Sequence, residues 1–219
     1  MSETQHTMQR RLRERHRLVR GALIGVGAYV LGYILTFLFV EYEVNTDFSN
    51  TFSTPWQIDL DVIALFLKYP QIAGSDTDLA GWVFYNTHFV EIVVPEKGYE
   101  TGSATANILL ETSNLTIPAV VWFLIPVLIL VGAGYVTALF ADRRTTRTGN
   151  AIAGGTIVVG YLPLTGIGIL LFTAAYGPNT SYEVSMSPES LLAIGLMGIV
   201  YPVVLGGIGG LLAWWRTPR

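Results

Sequence analysis

The chain has 219 residues, 51% of them hydrophobic and 13% charged, with a mean hydropathy of +0.48. A soluble domain of this length carries about a quarter charged residues, so the composition argues against one. The formal net charge is −3 and there is no cysteine, which excludes disulfides, thiolate metal sites and anchoring through a lipidated cysteine.

Four stretches, 21–40, 117–141, 150–182 and 190–215, contain no Asp, Glu, Lys, Arg or His. A helix needs about 20 apolar residues to cross roughly 30 Å of hydrocarbon, and all four are long enough. The pattern predicts an all-α membrane protein: a bundle of four transmembrane helices with a small extracellular α/β or irregular insertion between helices 1 and 2. In chain order it reads as an Arg-rich N-terminus (1–20), helix 1 (21–40), an extracellular domain (41–117), helix 2 (118–141), and a short loop (142–149). Helix 3 (150–176), a second extracellular loop (177–189), helix 4 (190–215) and a C-terminus (216–219) follow.

Charge orients this layout. Eleven of the thirteen Lys and Arg residues lie in 1–20, 142–149 and 216–219, while eleven acids against two lysines lie in 41–117. Basic residues in short loops are retained in the cytoplasm, so both termini and the 142–149 loop are expected inside. Arg10-Arg11-Leu12 has a twin-arginine look, but the following apolar run ends without a small-residue cleavage site and reads as a retained anchor.

Helix 1 carries small residues at Gly21, Gly25, Ala28 and Gly32, a spacing that places them on one face where another helix can approach closely. In the extracellular domain, Ile58, Leu60 and Val62 alternate with Gln57, Asp59 and Asp61 as in a half-buried strand. The stretch 79–94 fits a helical face through Trp82, Val83, Asn86, Phe89, Val90 and Val93, whereas Ile92, Val93 and Val94 favour a strand. A helix over 79–91 lying near the membrane surface is the expectation. A fifth crossing there would place Arg143, Arg144 and Arg147 outside and bury Asn86, His88 and Glu91 in lipid. The stretch 98–113 reads as irregular.

Helices 2, 3 and 4 each contain a proline, Pro126, Pro163 and Pro202, followed by glycines that include Gly206 and Gly210. Proline removes a backbone donor and kinks a helix. Gly206 and Gly210, like Gly21, Gly25 and Gly32, are expected to serve helix packing. The spans hold no ionisable residue, which disfavours an ion-coupled pump. Their polar groups are chiefly Thr36, Thr137, Thr156, Thr165 and Thr173, whose hydroxyls can bond to their own helix. His88 and Glu91 would share a face if their segment were helical, but two ligands do not make a metal site. Asp76-x-Asp78 opens a calcium-loop pattern that fails at its twelfth position, Thr87. Asn114 and Asn179 begin glycosylation sequons in segments expected outside.

The chain resembles a group of four-span integral membrane proteins of haloarchaea, a domain of unknown function. The resemblance rests on Gly21-Ala-Leu-Ile-Gly-Val-Gly-Ala-Tyr-Val-Leu-Gly-Tyr, Gly81-Trp-Val-Phe-Tyr-Asn-Thr-His-Phe-Val and Gly132-Ala-Gly-Tyr. It implies no activity. The functional expectation is a non-catalytic membrane scaffold or interaction subunit of the cell envelope, with no cofactor, metal or catalytic residue. Its partners would be the lipid bilayer and a second copy or another membrane protein, and not nucleic acid. The alternative is a small transporter or channel subunit using its proline-kinked helices.

Overall fold

The computed structural model describes residues 3–51, 76–95, 103–111, 115–140, 146–176 and 184–216. Four helical segments are long and apolar enough to cross a membrane: Arg15–Glu43, Ala119–Leu139, Arg147–Leu171 and Ser190–Arg216. The first belongs to one continuous helix, α1 (Glu3–Thr51), of 49 residues. It extends well beyond 21–40 at both ends because neither 3–20 nor 41–51 contains a glycine or proline to stop it.

After α1 come α2 (Asp76–Asn86), β1 (Ile92–Pro95), β2 (Ser103–Ala106), α3 (Ile108–Glu111) and α4 (Ala119–Leu139). The third span is α5 (Arg147–Gly155) followed by α6 (Val158–Leu171). Then follow β3 (Ala174–Tyr176), β4 (Val184–Pro188), α7 (Ser190–Leu192), a π-helical stretch (Ala193–Val200) and α8 (Tyr201–Arg216). The four strands form one antiparallel sheet in the order β2-β1-β4-β3. Ile92, Val93 and Val94 thus lie in a central strand, and the expected helix over 79–91 ends early, at Asn86. Residues 98–113, expected to be irregular, contribute β2 and α3. The third span stops at Leu171, and the last residues assigned to it, 174–176, form an edge strand. The alternating segment 57–62 and the sequons at Asn114 and Asn179 lie outside the described residues.

The chain divides into two units: Met1–Leu31, Val127–Leu164 and Gly198–Arg219 form the first, and Gly32–Pro126 with Thr165–Met197 the second. In the first unit the large apolar side chains Leu23, Val26, Val30, Val136, Val203 and Ile208 are exposed. Gly21, Gly25, Gly154, Gly160, Gly206, Gly209 and Gly210 are buried. That reverses the soluble arrangement and suits helices surrounded by lipid tails, where association relies on close backbone approach. A Cβ at Gly25 would collide with the carbonyl oxygen of Ile157, and one at Gly160 with that of Ala22. Tyr29 and Tyr161 fill the space above this crossing edge to face, 5.1 Å apart.

Two features interrupt the helical ladders. At Thr156–Ile157 the bonding tightens to three-residue spacing, with Val159 N–H donating to Thr156 O at 3.1 Å and Gly160 N–H to Ile157 O at 3.2 Å. The described break in the third span therefore falls upstream of Pro163, which lies inside α6. In the fourth span, Ala193–Val200 is π-helical and Pro202 follows as the second residue of α8. A widened turn moves the preceding carbonyls away from the proline ring, which would otherwise clash with them.

Gly25→Ala should lower the thermal midpoint in detergent, at a cost of about 1–3 kcal/mol for a side chain forced into a filled contact. Gly27→Ala, two positions along the same helix and with nothing within 4 Å of its would-be Cβ, should leave the midpoint unchanged or raise it slightly. Equal effects would mean that the α1 crossing is not held by backbone contact.

Candidate functional site

The densest chemistry lies in the second unit, around α2. Every residue from Leu79 to His88 is buried, so the helix is enclosed by protein from its second turn onward. Its aromatic residues meet the first and third spans. Tyr33 of α1 stacks on Phe172 at 5.3 Å and meets Phe84 edge to face at 6.0 Å. Gly81 leaves room for the Phe172 ring, because any Cβ there would strike it.

The polar tips of these rings are satisfied by backbone carbonyls. The Trp82 indole N–H donates to Phe172 O at 2.7 Å, the Tyr85 hydroxyl to Thr165 O at 2.5 Å and the Tyr33 hydroxyl to Thr77 O at 3.2 Å. A buried Trp or Tyr requires such a partner, and a backbone carbonyl has a second lone pair to offer even within a helix.

Asn86 ends α2 and ties the sheet to it. Its amide nitrogen donates to Val90 O at 2.8 Å, and its side-chain oxygen accepts from Ile108 N–H at 2.9 Å. Asn107 returns the contact by donating to Asn86 O at 3.2 Å, and its own side-chain oxygen caps Leu109 N–H at 3.1 Å. The chain then turns through Thr87, His88 and Phe89. Phe89 has φ 58°, a left-handed conformation that bulky residues rarely adopt. Its ring, 47% exposed, stacks on Phe123 of α4 at 4.4 Å.

His88 is fully buried beside Phe84, with ring centroids 5.1 Å apart. Its Nδ1 lies 2.9 Å from Phe84 O. A carbonyl only accepts, so Nδ1 carries the proton. Burial lowers the imidazole to about 4 from 6.5, with the Phe84 hydrogen bond opposing the shift. The Thr87 hydroxyl donates to the same carbonyl at 2.7 Å and is therefore not an activated nucleophile. Since α2 ends before His88, His88 and Glu91 do not share a helical face. Among the described residues no three His, Cys, Asp or Glu side chains gather to hold a metal.

Glu43 was not singled out by the sequence, yet it is 2% exposed and binds the chain entering the second span. One carboxylate oxygen accepts from Thr116 N–H and the other from Ile117 N–H, the latter at 3.2 Å. An anion at a helix entrance is stabilised by the unpaired amides and the helix dipole. Beside it Val40, Leu79, Val83, Ile108, Leu109, Leu115 and Trp122 line a cavity of about 10 Å³, room for about one water. The signal for Glu43 was periodic: Gly21, Gly25, Ala28, Gly32, Thr36, Val40 and Glu43 are all buried at helical spacing. Glu111 stands at the end of α3. Its carboxyl is raised chiefly by desolvation, opposed by the Asn107 N–H, and raised further by the charge of Glu91.

The expected packing and kink positions fall as follows. Gly21 faces the Thr156 side chain, Gly25 the Ile157 carbonyl, Gly206 the Gly154 carbonyl and Gly210 the Asn150 carbonyl. Gly32 is buried, and its carbonyl accepts from the Thr36 hydroxyl at 2.9 Å. Thr137, Thr156 and Thr173 likewise bond to carbonyls of their own helices at 2.8, 2.6 and 2.7 Å. Pro126 is buried in α4, Pro163 exposed in α6 and Pro202 buried in α8.

Four apolar helices of spanning length with lipid-suited exteriors place the chain among multi-pass membrane proteins in make-up. It belongs to a family of unknown function (DUF7978), whose model matches residues 1–217. No curated protein and no solved structure matches it.

Because the His88 folded pKa lies below its unfolded value, the unfolded chain binds the extra proton. Stability is then present above pH 6.5 and lost as pH falls toward 4. The loss should total about 3 kcal/mol, read as a falling thermal midpoint in detergent. Glu111 acts in the opposite sense, so His88→Asn, which keeps a donor for Phe84 O, isolates the histidine. An unchanged slope in that variant would assign the pH dependence elsewhere. Asn86→Ala should cost about 1–3 kcal/mol, because it leaves Ile108 N–H buried without its acceptor. A midpoint within 1 °C of the parent would refute that role.

Proposed function

We propose that the protein is a non-catalytic scaffold or interaction subunit of the cell envelope, with both termini cytoplasmic and residues 41–117 and 177–189 presented outside. The observation that carries this reading is the use made of the interior. Backbone-to-backbone glycine contacts fill the first unit, and aromatic rings with satisfied polar tips fill the second. Such an interior positions a surface. The cavity beside Glu43 is apolar-lined and of single-water size, which favours the scaffold over a transport path at that place.

Charge supports the orientation. All described ionisable acids and bases of the first unit, apart from histidine and tyrosine, are Arg15, Arg17, Arg20, Arg147 and Arg216 among residues whose side chains are described. Those of the second are the acids Glu41, Glu43, Asp78, Glu91, Glu111 and Glu189. The acidic exterior and eleven arginines against two lysines also fit the high-salt envelope that the haloarchaeal resemblance implies. A second copy or another membrane protein is the expected partner, with the sheet-bearing unit making the contact.

Two measurements test the proposal. Light scattering on protein purified in mild detergent should give a homo-oligomer or a stoichiometric complex, and a strictly monomeric, partner-free species would count against the scaffold. The cysteine-free chain also allows single-cysteine labelling in intact cells. A membrane-impermeant maleimide should modify Thr105→Cys and spare Thr146→Cys, and the reverse pattern would invert the orientation.

A further inference from the structure

Five arginines of the first unit, Arg15, Arg17, Arg20, Arg147 and Arg216, are exposed, and no Asp or Glu accompanies them among that unit's described side chains. Contacts join the helix ends that bear them in pairs. The Arg20 guanidinium lies over the Phe140 ring, 6.0 Å from its centroid, which joins α1 to the end of α4. Gly210 of α8 meets Asn150, one turn after Arg147, whereas Gly21 meets Thr156 at the opposite end of α5. Arg17 lies three residues before Arg20 and so shares its helical face.

Bulky apolar side chains are exposed immediately beside these cations: Leu18 and Val19 between Arg17 and Arg20, Leu139 and Phe140 at the end of α4, and Trp215, 68% exposed, beside Arg216. A cationic row bordering an apolar and aromatic belt matches one ligand chemistry, a phosphate joined to hydrocarbon. The guanidinium fork binds phosphate oxygens in paired hydrogen bonds. Free phosphate would use the arginines and leave the exposed leucines and tryptophan without a role.

We propose that this arginine-bearing end of the first unit is a binding surface for anionic phospholipid headgroups. The proposal rests on the four helices being membrane spans and is independent of the scaffold reading. A monomeric protein would remove the scaffold and leave lipid binding measurable.

The test is native mass spectrometry of the full chain in neutral detergent, titrated with phosphatidylglycerol or with phosphatidylcholine of the same acyl chains. Phosphatidylglycerol should be retained preferentially, and the preference should weaken as salt is raised. Arg17→Gln with Arg20→Gln, and separately Arg147→Gln with Arg216→Gln, should each reduce it by about fivefold per arginine removed. The second pair leaves the N-terminal arginines intact, and binding in micelles is read without regard to insertion direction, so a mis-inserted first variant does not obscure the result. Equal retention of the two lipids, or undiminished preference in both variants, would overturn the proposal. Displacement by millimolar inorganic phosphate at constant ionic strength would also overturn it and assign the arginines to the free anion.

Discussion

Helices in hydrocarbon gain nothing from hiding apolar surface from their solvent, because lipid tails are as apolar as leucine. What holds them together must come from contact so close that lipid cannot match it. The first unit meets this constraint where Gly25 and Gly160 let α1 cross the third span with carbonyls against Cα positions. Dispersion between backbones and weak Cα–H···O contacts then accumulate over a crossing where a larger residue would hold the helices apart. The exposed leucines and valines are left for the solvent that suits them.

The same solvent forbids unsatisfied polar groups, and this explains how polarity is distributed. The threonines of the spans bond back to their own helices. In the second unit, burial of α2 from Leu79 onward required partners for one indole and one phenol tip, and the carbonyls of Phe172 and Thr165 supply them. Asn86 and Asn107 do the equivalent for the turn and for α3. Glu43 does it for the two amides at the entrance to the second span. The contacts of Trp82, Tyr85, Asn86, Asn107 and Glu43 join segments more than twenty residues apart, so meeting the backbone's needs also ties the unit together. That links satisfaction of hydrogen bonds to the proposed role of presenting a fixed surface.

The four spans were legible because length and absence of charge are summed over some twenty residues, and no single neighbour can alter that sum. The stripe from Gly21 to Gly32 was legible because helical period depends only on the residues of one helix. Its extension through Thr36 and Val40 to Glu43 was equally periodic, but a carboxylate at the end of a span ordinarily reads as solvated. The amides of Thr116 and Ile117, some seventy residues on, accept it into the interior.

Local pattern also could not decide the stretch 79–94, which carried both a helical face and a β-branched run. The structure uses both in succession, with the change at Asn86, where side-chain bonds to Val90 and Ile108 replace the helical ladder. That β1 pairs with β4, across the whole of the second and third spans, is a long-range fact that no window of sequence contains. Sequence by itself determined which segments are apolar enough to cross a bilayer and how charge is sorted between them, since both are sums over local composition. Tertiary structure alone decided which helix is enclosed, which loops share a sheet and which acid is buried, since each depends on partners that the chain brings together only by folding.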